Sequence, residues 1–183
     1  RVTVNGLIVL DPATTVSTSD NIFYNGCPVK HEFIKSRIWL YHKLVGEICS
    51  DSDPFGKRTV FDSFPKGLGK ICLVGRLDYK SEGLLLLTNK GFIKRYLELP
   101  RNQVMRTYRV KIWGQNLNDE TLEPIREGIT VSGIHYAPMT VDILSKGVKT
   151  GWLKISLTEG KNREIRKVLE SIGLNVSKLI RIR

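Results

Sequence analysis

A period of two runs through most of this chain. Val2 and Val4 alternate with polar neighbours before Asn5-Gly6, and Ile8 begins a return strand that Pro12 ends. Ile22-Phe23-Tyr24 meets a second Asn-Gly pair at 25–26, followed by Cys27-Pro28-Val29. Asn-Gly between apolar runs is a hairpin signal, because both residues tolerate the positive φ that a tight turn needs. Residues 2–29 therefore read as a small β-meander, and 31–36 as a linker. Trp39–Lys43 opens a second unit, with Lys43-Leu44-Val45-Gly46 as a strand end. The short apolar runs Ile71–Val74 and Leu84–Leu87 are bounded by turn residues and read as buried strands. Over 107–113, Tyr108, Val110 and Ile112 share one face, with Arg109, Lys111 and Trp113 on the other. Trp152–Thr158 repeats the pattern through Leu153, Ile155 and Leu157, and 129–144 suggests further strands.

Three segments change to a helical period. Phe92–Leu99 is a short helix stopped by Pro100. Leu117–Gly128 carries Asn118 as an N-cap and Gly128 as a C-terminal cap. Ile165, Val168, Leu169 and Ile172 fall at i, i+3, i+4 and i+7, one apolar face, before Gly173 ends the helix. Residues 50–59, rich in Asp, Ser, Pro and Gly, read as a surface loop. Gly67-Leu68-Gly69-Lys70 is not a phosphate loop: Phe64 stands where the first Gly belongs and Ile71 where a Ser or Thr would hold magnesium.

Charge narrows the field of partners. The 183 residues carry a formal +11, unevenly placed: 1–33 hold a net −1, whereas 161–183 have seven Lys or Arg against two Glu. Such a bias is the footprint of a polyanion. A membrane surface is disfavoured, since there is no basic amphipathic helix with an aromatic face and no run of eighteen apolar residues. Cys27, Cys49 and Cys72 form no C-x-x-C pair, the three histidines are far apart, and no zinc signature is present. Reduced thiols and the lack of a signal-peptide pattern fit the cytoplasm. Beginning at Arg1, the chain reads as a fragment.

Candidate chemistry gathers at 71–91. Between the two apolar runs lie Gly75, Arg76, Asp78, Lys80 and Glu82, ionisable groups held close to a core, where pKa values are tuned and reactions done. Taken alone, Arg76 and Asp78 are a surface pair at a turn. The longer wording, Gly75-Arg76-Leu77-Asp78 and then Gly83-Leu84-Leu85-Leu86-Leu87-Thr88-Asn89-x-Gly91, resembles the central motif of the pseudouridine synthases. It is most similar to the ribosomal RNA branch that carries an N-terminal S-four-type RNA-binding domain. The resemblance implies an α+β fold, a mixed, largely antiparallel sheet flanked by helices. Residues 1–33 would be the C-terminal half of the S-four-type domain, with its helical half preceding Arg1, and 37–183 the catalytic domain.

The same resemblance assigns roles. Asp78 matches the family's catalytic aspartate, as nucleophile or base. Tyr108, by pattern an ordinary core tyrosine, matches a tyrosine that lies against the target uracil. Glu159-Gly160-Lys161-Asn162-Arg163-Glu164-Ile165-Arg166-Lys167-Val168 resembles the C-terminal motif, in which the second arginine, here Arg166, pairs with the aspartate. Arg76, Lys43, Lys161, Asn162, Arg163 and Lys167 are the residues expected to meet RNA. The chain departs from the family wording at Leu44 for Pro, Ser81 for Thr, Lys90 for an acid, Ala137 for Lys and Glu164 for Gln.

The reaction this resemblance implies is an isomerisation of uridine in ribosomal RNA, large-subunit more than small-subunit judging by Asp53–Phe61. The bond from ribose to ring nitrogen breaks, the uracil turns, and a carbon–carbon bond forms at the same sugar carbon. Neither cofactor nor metal is called for, and a monomer is expected. The rival reading is a catalytically silent rRNA-binding or ribosome-assembly module. That rival has no use for Asp78, Tyr108 and Arg166 together.

Overall fold

A computed structural model describes residues 1–30, 34–65, 67–114 and 117–183. The chain forms two compact units, Arg1–Lys35 and Ser36–Arg183. The linker predicted at 31–36 lies partly outside the described residues.

In the first unit, β1 (Val2–Val4), β2 (Leu7–Val9), β3 (Ile22–Tyr24) and β4 (Cys27–Pro28) form one antiparallel sheet in the order β2-β1-β3-β4. Both Asn-Gly pairs turn as expected, with φ of 50° and 84° at Asn5 and Gly6 and 49° and 81° at Asn25 and Gly26. Pro28, which has no N–H to give a ladder, sits on an edge strand.

The second unit is built on a seven-stranded sheet. Its strands are β5 (Ile38–Lys43), β6 (Cys72–Val74), β7 (Glu82–Thr88), β8 (Arg106–Gly114), β11 (Thr140–Lys146), β12 (Thr150–Leu157) and β13 (Leu174–Arg181). The order is β11-β12-β8-β13-β7-β5, with β6 added beside β7. All pairings are antiparallel except β13 with β7. A separate hairpin joins β9 (Ile129–Val131) to β10 (Ile134–Tyr136). The helices are α1 (Gly91–Glu98), α2 (Asp119–Glu127) and α3 (Glu164–Ser171). This is the α+β class expected.

One face of the sheet makes the core. Val110, Ile112, Leu153 and Ile155 meet Leu122 and Ile125 of α2 and Ile165, Val168 and Leu169 of α3, all of them buried. The opposite residues of β8, Arg109, Lys111 and Trp113, are exposed, as its alternation requires. Asn118 caps α2, its side chain accepting the Thr121 N–H at 2.8 Å, and Gly128 closes the helix with φ 97°. Where β13 runs parallel to β7, the backbones approach so closely that a Cβ on Gly83 would lie 2.3 Å from the Arg181 carbonyl oxygen. With φ +106° as well, only glycine fits there. The Gly83-Leu84 wording thus has a packing cause. Among the described residues no helix is long and apolar enough to cross a membrane.

Candidate active site

Asp78 lies on the loop between β6 and β7. That loop has no ladder of its own, and its backbone is held from elsewhere. The Gly75 N–H donates to Glu98 at 2.6 Å. Leu77 N–H meets the Cys49 sulfur at 3.4 Å. Gly46 N–H donates to the Tyr79 carbonyl at 2.9 Å, and Ser81 N–H to the Asp78 carbonyl at 3.0 Å. Lys43 Nζ donates to the carbonyls of Leu44, Asp78 and Ser81 at 2.9, 3.1 and 2.8 Å. Arg166 Nη2 takes the Lys80 carbonyl at 2.9 Å. Irregular backbone with its polar groups satisfied is preorganised, which is what a reacting group near a core needs.

Lys43 therefore requires a correction. Expected to meet RNA, it is 0 % exposed, its ammonium enclosed beneath the loop that carries Asp78. Burial pulls its pKa below the ordinary lysine value, against the upward pull of Cys49, Glu47 and Asp78. The turn after it is fixed by Glu47, also buried, which accepts hydrogen bonds from Tyr41, Leu44 N–H and Ser63.

Beside the loop is a cavity of about 150 Å³, the size that admits one six-membered ring. Its walls bring together Asp78, Tyr108 and Arg166 from the β6–β7 loop, β8 and α3. Arg76, Lys161, Asn162 and Arg163 also line it and are exposed at its mouth. Lys167 does not line it and is half-buried on α3. A larger cleft of about 1010 Å³ adjoins, sharing Arg76 and Lys161 and adding Lys70, Lys94, Arg106 and Arg183. Basic side chains around an open groove give a polyanion a track that leads to the cavity.

Arg166 departs from the expected pairing. No ion pair joins it to Asp78; its fork holds the Lys80 carbonyl and, at 3.1 Å, that of Val176. Its Nε is buried with no partner. Burial and the neighbouring Arg163 pull the guanidinium below its ordinary value, while the Asp78 carboxylate pulls it up. The two groups thus feel each other across the cavity without touching.

The turn before α3 forms the facing wall. Arg163, at the N-cap, is left-handed with φ 52°, a conformation that costs a non-glycine residue energy and persists where the surroundings fix it. Behind it Glu164 is 4 % exposed, its Oε2 accepting the Lys161 N–H at 2.8 Å. Glu159 accepts the Ala137 N–H at 2.7 Å and pairs with the Lys161 ammonium. Sequence reasoning missed Cys49, Glu98 and Glu159, which act through bonds to distant backbone. The one signal was for Lys43, two residues along the strand from Tyr41 and so on its inward face.

The sequence pattern of the family described as RNA pseudouridylate synthase matches residues 37–171. The chain belongs to that family. An uncharacterized RNA pseudouridine synthase of Rickettsia felis is 41% identical over 182 residues, 100% of this chain and 78% of that protein. Ribosomal large subunit pseudouridine synthase B of Yersinia pestis is 38% identical over 148 residues, 80% of this chain and 46% of that protein. A crystal structure of pseudouridylate synthase superposes with a TM-score of 0.75 at 25% identity, covering 100% of this chain and 76% of that one. As a pseudouridine synthase the protein is an RNA-modifying isomerase, and the α+β sheet is the fold of its structural neighbour.

Proposed function

We propose that this synthase converts one uridine of large-subunit ribosomal RNA to pseudouridine, with Asp78 as the group that acts on the nucleotide. The observation that carries the reading is the meeting of Asp78, Tyr108 and Arg166, from three separate segments, around one ring-sized cavity. The choice of large-subunit RNA is supported by the name of the Yersinia pestis relative.

A base inside a helix must leave the stack to enter such a cavity, at a cost of a few kcal/mol. Phosphate contacts along the basic cleft offset that cost. Asp78, held by its backbone, presents an ionised carboxylate to the sugar or the base, as nucleophile or base. Tyr108 lies against the uracil, by stacking alone or as the hydroxyl through which the proton of ring carbon 5 passes to the ring nitrogen that has lost the sugar. Arg166 keeps the Asp78 loop in place through Lys80, and its positive charge acts on the carboxylate from across the cavity. Arg76 fills the place of the flipped base or holds a phosphate, and Lys161, Asn162 and Arg163 grip the strand at the mouth.

We also infer that residues 1–33 are the C-terminal half of an S-four-type RNA-binding domain, and 37–183 the catalytic domain. The order of four short antiparallel strands in the first unit supports this.

The test is pseudouridine mapping of ribosomal RNA by carbodiimide treatment and primer extension. One stop is expected with the wild type and none with Asp78→Asn, whose RNA affinity stays within about twofold. Turnover by Asp78→Asn near the wild-type rate would remove Asp78 from the chemistry.

A further inference from the structure

We propose that Glu164 is a positioning residue for the isomerisation: its carboxyl stays protonated, shares that proton with Glu159, and so holds the turn 159–163 against the cavity. This rests on the cavity being the place where uridine reacts.

The burial and the unmatched oxygen of Glu164 point to it. Glu164 is enclosed, one oxygen on the Lys161 N–H and the other, Oε1, buried without a donor. The side chain of Glu159 lies within hydrogen-bond reach of it. Both oxygens of Glu159 are already engaged, by Ala137 N–H and the Lys161 ammonium, so Glu159 is held as the charged member. Two carboxylates side by side would each accept and neither donate, and one would be a like charge cut off from water. A proton on Glu164 removes the second charge and supplies the missing donor. Burial, followed by the bond to Glu159, raises the Glu164 carboxyl to about 8. Glu159 moves the other way: the Glu164 bond, Lys161 and the Ala137 N–H outweigh its own burial.

The Lys161 charge and its N–H pull the Glu164 carboxyl down, but burial and the bond to Glu159 outweigh them. Lys161 is committed to Glu159 and stands 5.7 Å above the Tyr136 ring of β10. Arg106 of β8 faces the backbone carbonyls of Thr158 and Glu159. On α3 itself, Arg166 is taken by the Lys80 and Val176 carbonyls, and Arg163 opens to the cavity mouth. Asp78 and Tyr108 lie across the cavity. In β13, Lys178 pairs with Glu82 and Arg181 with the Leu84 carbonyl, while β9 carries no titratable side chain. What the shared proton secures is the turn that ends in left-handed Arg163, the wall facing Asp78.

The test uses the whole protein with ¹³C-labelled glutamate, the resonance of Glu164 being the one absent from Glu164→Gln. In the wild type that carboxyl carbon should titrate well above the ordinary glutamate range. Isomerisation rates are measured on one RNA from pH 6 to 9.5, so that titration of the RNA cancels between enzymes. One unit above its titration point the wild type should lose about tenfold in rate. Glu164→Gln, whose amide donates at every pH, should match the wild type at neutral pH and lose less than about twofold over the same range. A Glu164 carbon that titrates with ordinary carboxylates overturns the proposal, as does an alkaline fall unchanged in Glu164→Gln. A high-titrating Glu164 in a protein that forms no pseudouridine at any pH would overturn the functional reading and leave the shared proton standing.

Discussion

Replacing Lys43 with methionine separates a buried anchor from a surface contact. The methionine stem fills much of the same space, but the carbonyls of Leu44, Asp78 and Ser81 lose the ammonium that serves all three. Each buried acceptor left without a donor costs about 1–3 kcal/mol. Removing the ammonium also relieves its own desolvation, which in the wild type pulls its pKa down. The net expectation lies near the lower end, about 3 kcal/mol. For a protein of this size each kcal/mol moves Tm by about 2–4 °C, so the midpoint should drop by about 6–12 °C. Two of the three acceptors belong to the turn that presents Asp78. A displacement of about 1 Å there costs on the order of a hundredfold in kcat. Calorimetry gives the first number, single-turnover isomerisation at 15 °C the second, and filter binding gives RNA affinity, which should not change. A variant with unaltered Tm and kcat but weakened RNA binding would refute the reasoning and return Lys43 to the surface.

Two further predictions concern stability. Burial pushes the Glu47 carboxyl up, but the hydrogen bonds from Leu44 N–H, Tyr41 and Ser63, with Arg58, hold it below its ordinary value. Its folded pKa is therefore depressed, so its contribution is present above the unfolded pKa near 4.5 and lost as pH falls through the lower folded value; urea midpoints should fall more steeply below pH 4.5 in the wild type than in Glu47→Gln. Gly83→Ala drives a methyl into the Arg181 backbone at a φ that alanine resists, and should cost about 3 kcal/mol or more in urea unfolding, seen as loss of the β7–β13 pairing by hydrogen exchange.

Much of the fold could be read from the chain because its elements obey local rules. The alternation in β8, the Asn118 cap and the i, i+3, i+4, i+7 face of α3 each depend on neighbours within a turn or two. The meeting of Asp78, Tyr108 and Arg166 was legible through motif wording, since spacing alone does not say which segments come together. The support beneath them was not. Strand β5 inverts the usual polarity: Ile38 and Leu40 are exposed while Lys43 is sealed in, so counting apolar residues puts the wrong face inward. Cys49 and Glu98 reach backbone groups 28 and 23 residues away, and no period records that. The Arg166 fork fell on the Lys80 and Val176 carbonyls, 86 and 10 residues away, and not on the carboxylate.

The loop that carries Asp78 is fastened by bonds spanning great lengths of chain: 38 residues from Lys43 to Ser81 and 86 from Arg166 to Lys80. Each such closure costs entropy that only the assembled sheet and helices repay, so these bonds belong to the late part of folding. Of the seven residues from Gly75 to Ser81, only the Asp78–Ser81 turn is closed from within, and the rest of the shape is borrowed from elsewhere. Grafted onto another scaffold they would bring the words of the motif without its geometry. Synthesised from the N-terminus, the chain holds Asp78 long before it can aim it, and the competence of the site arrives with α3.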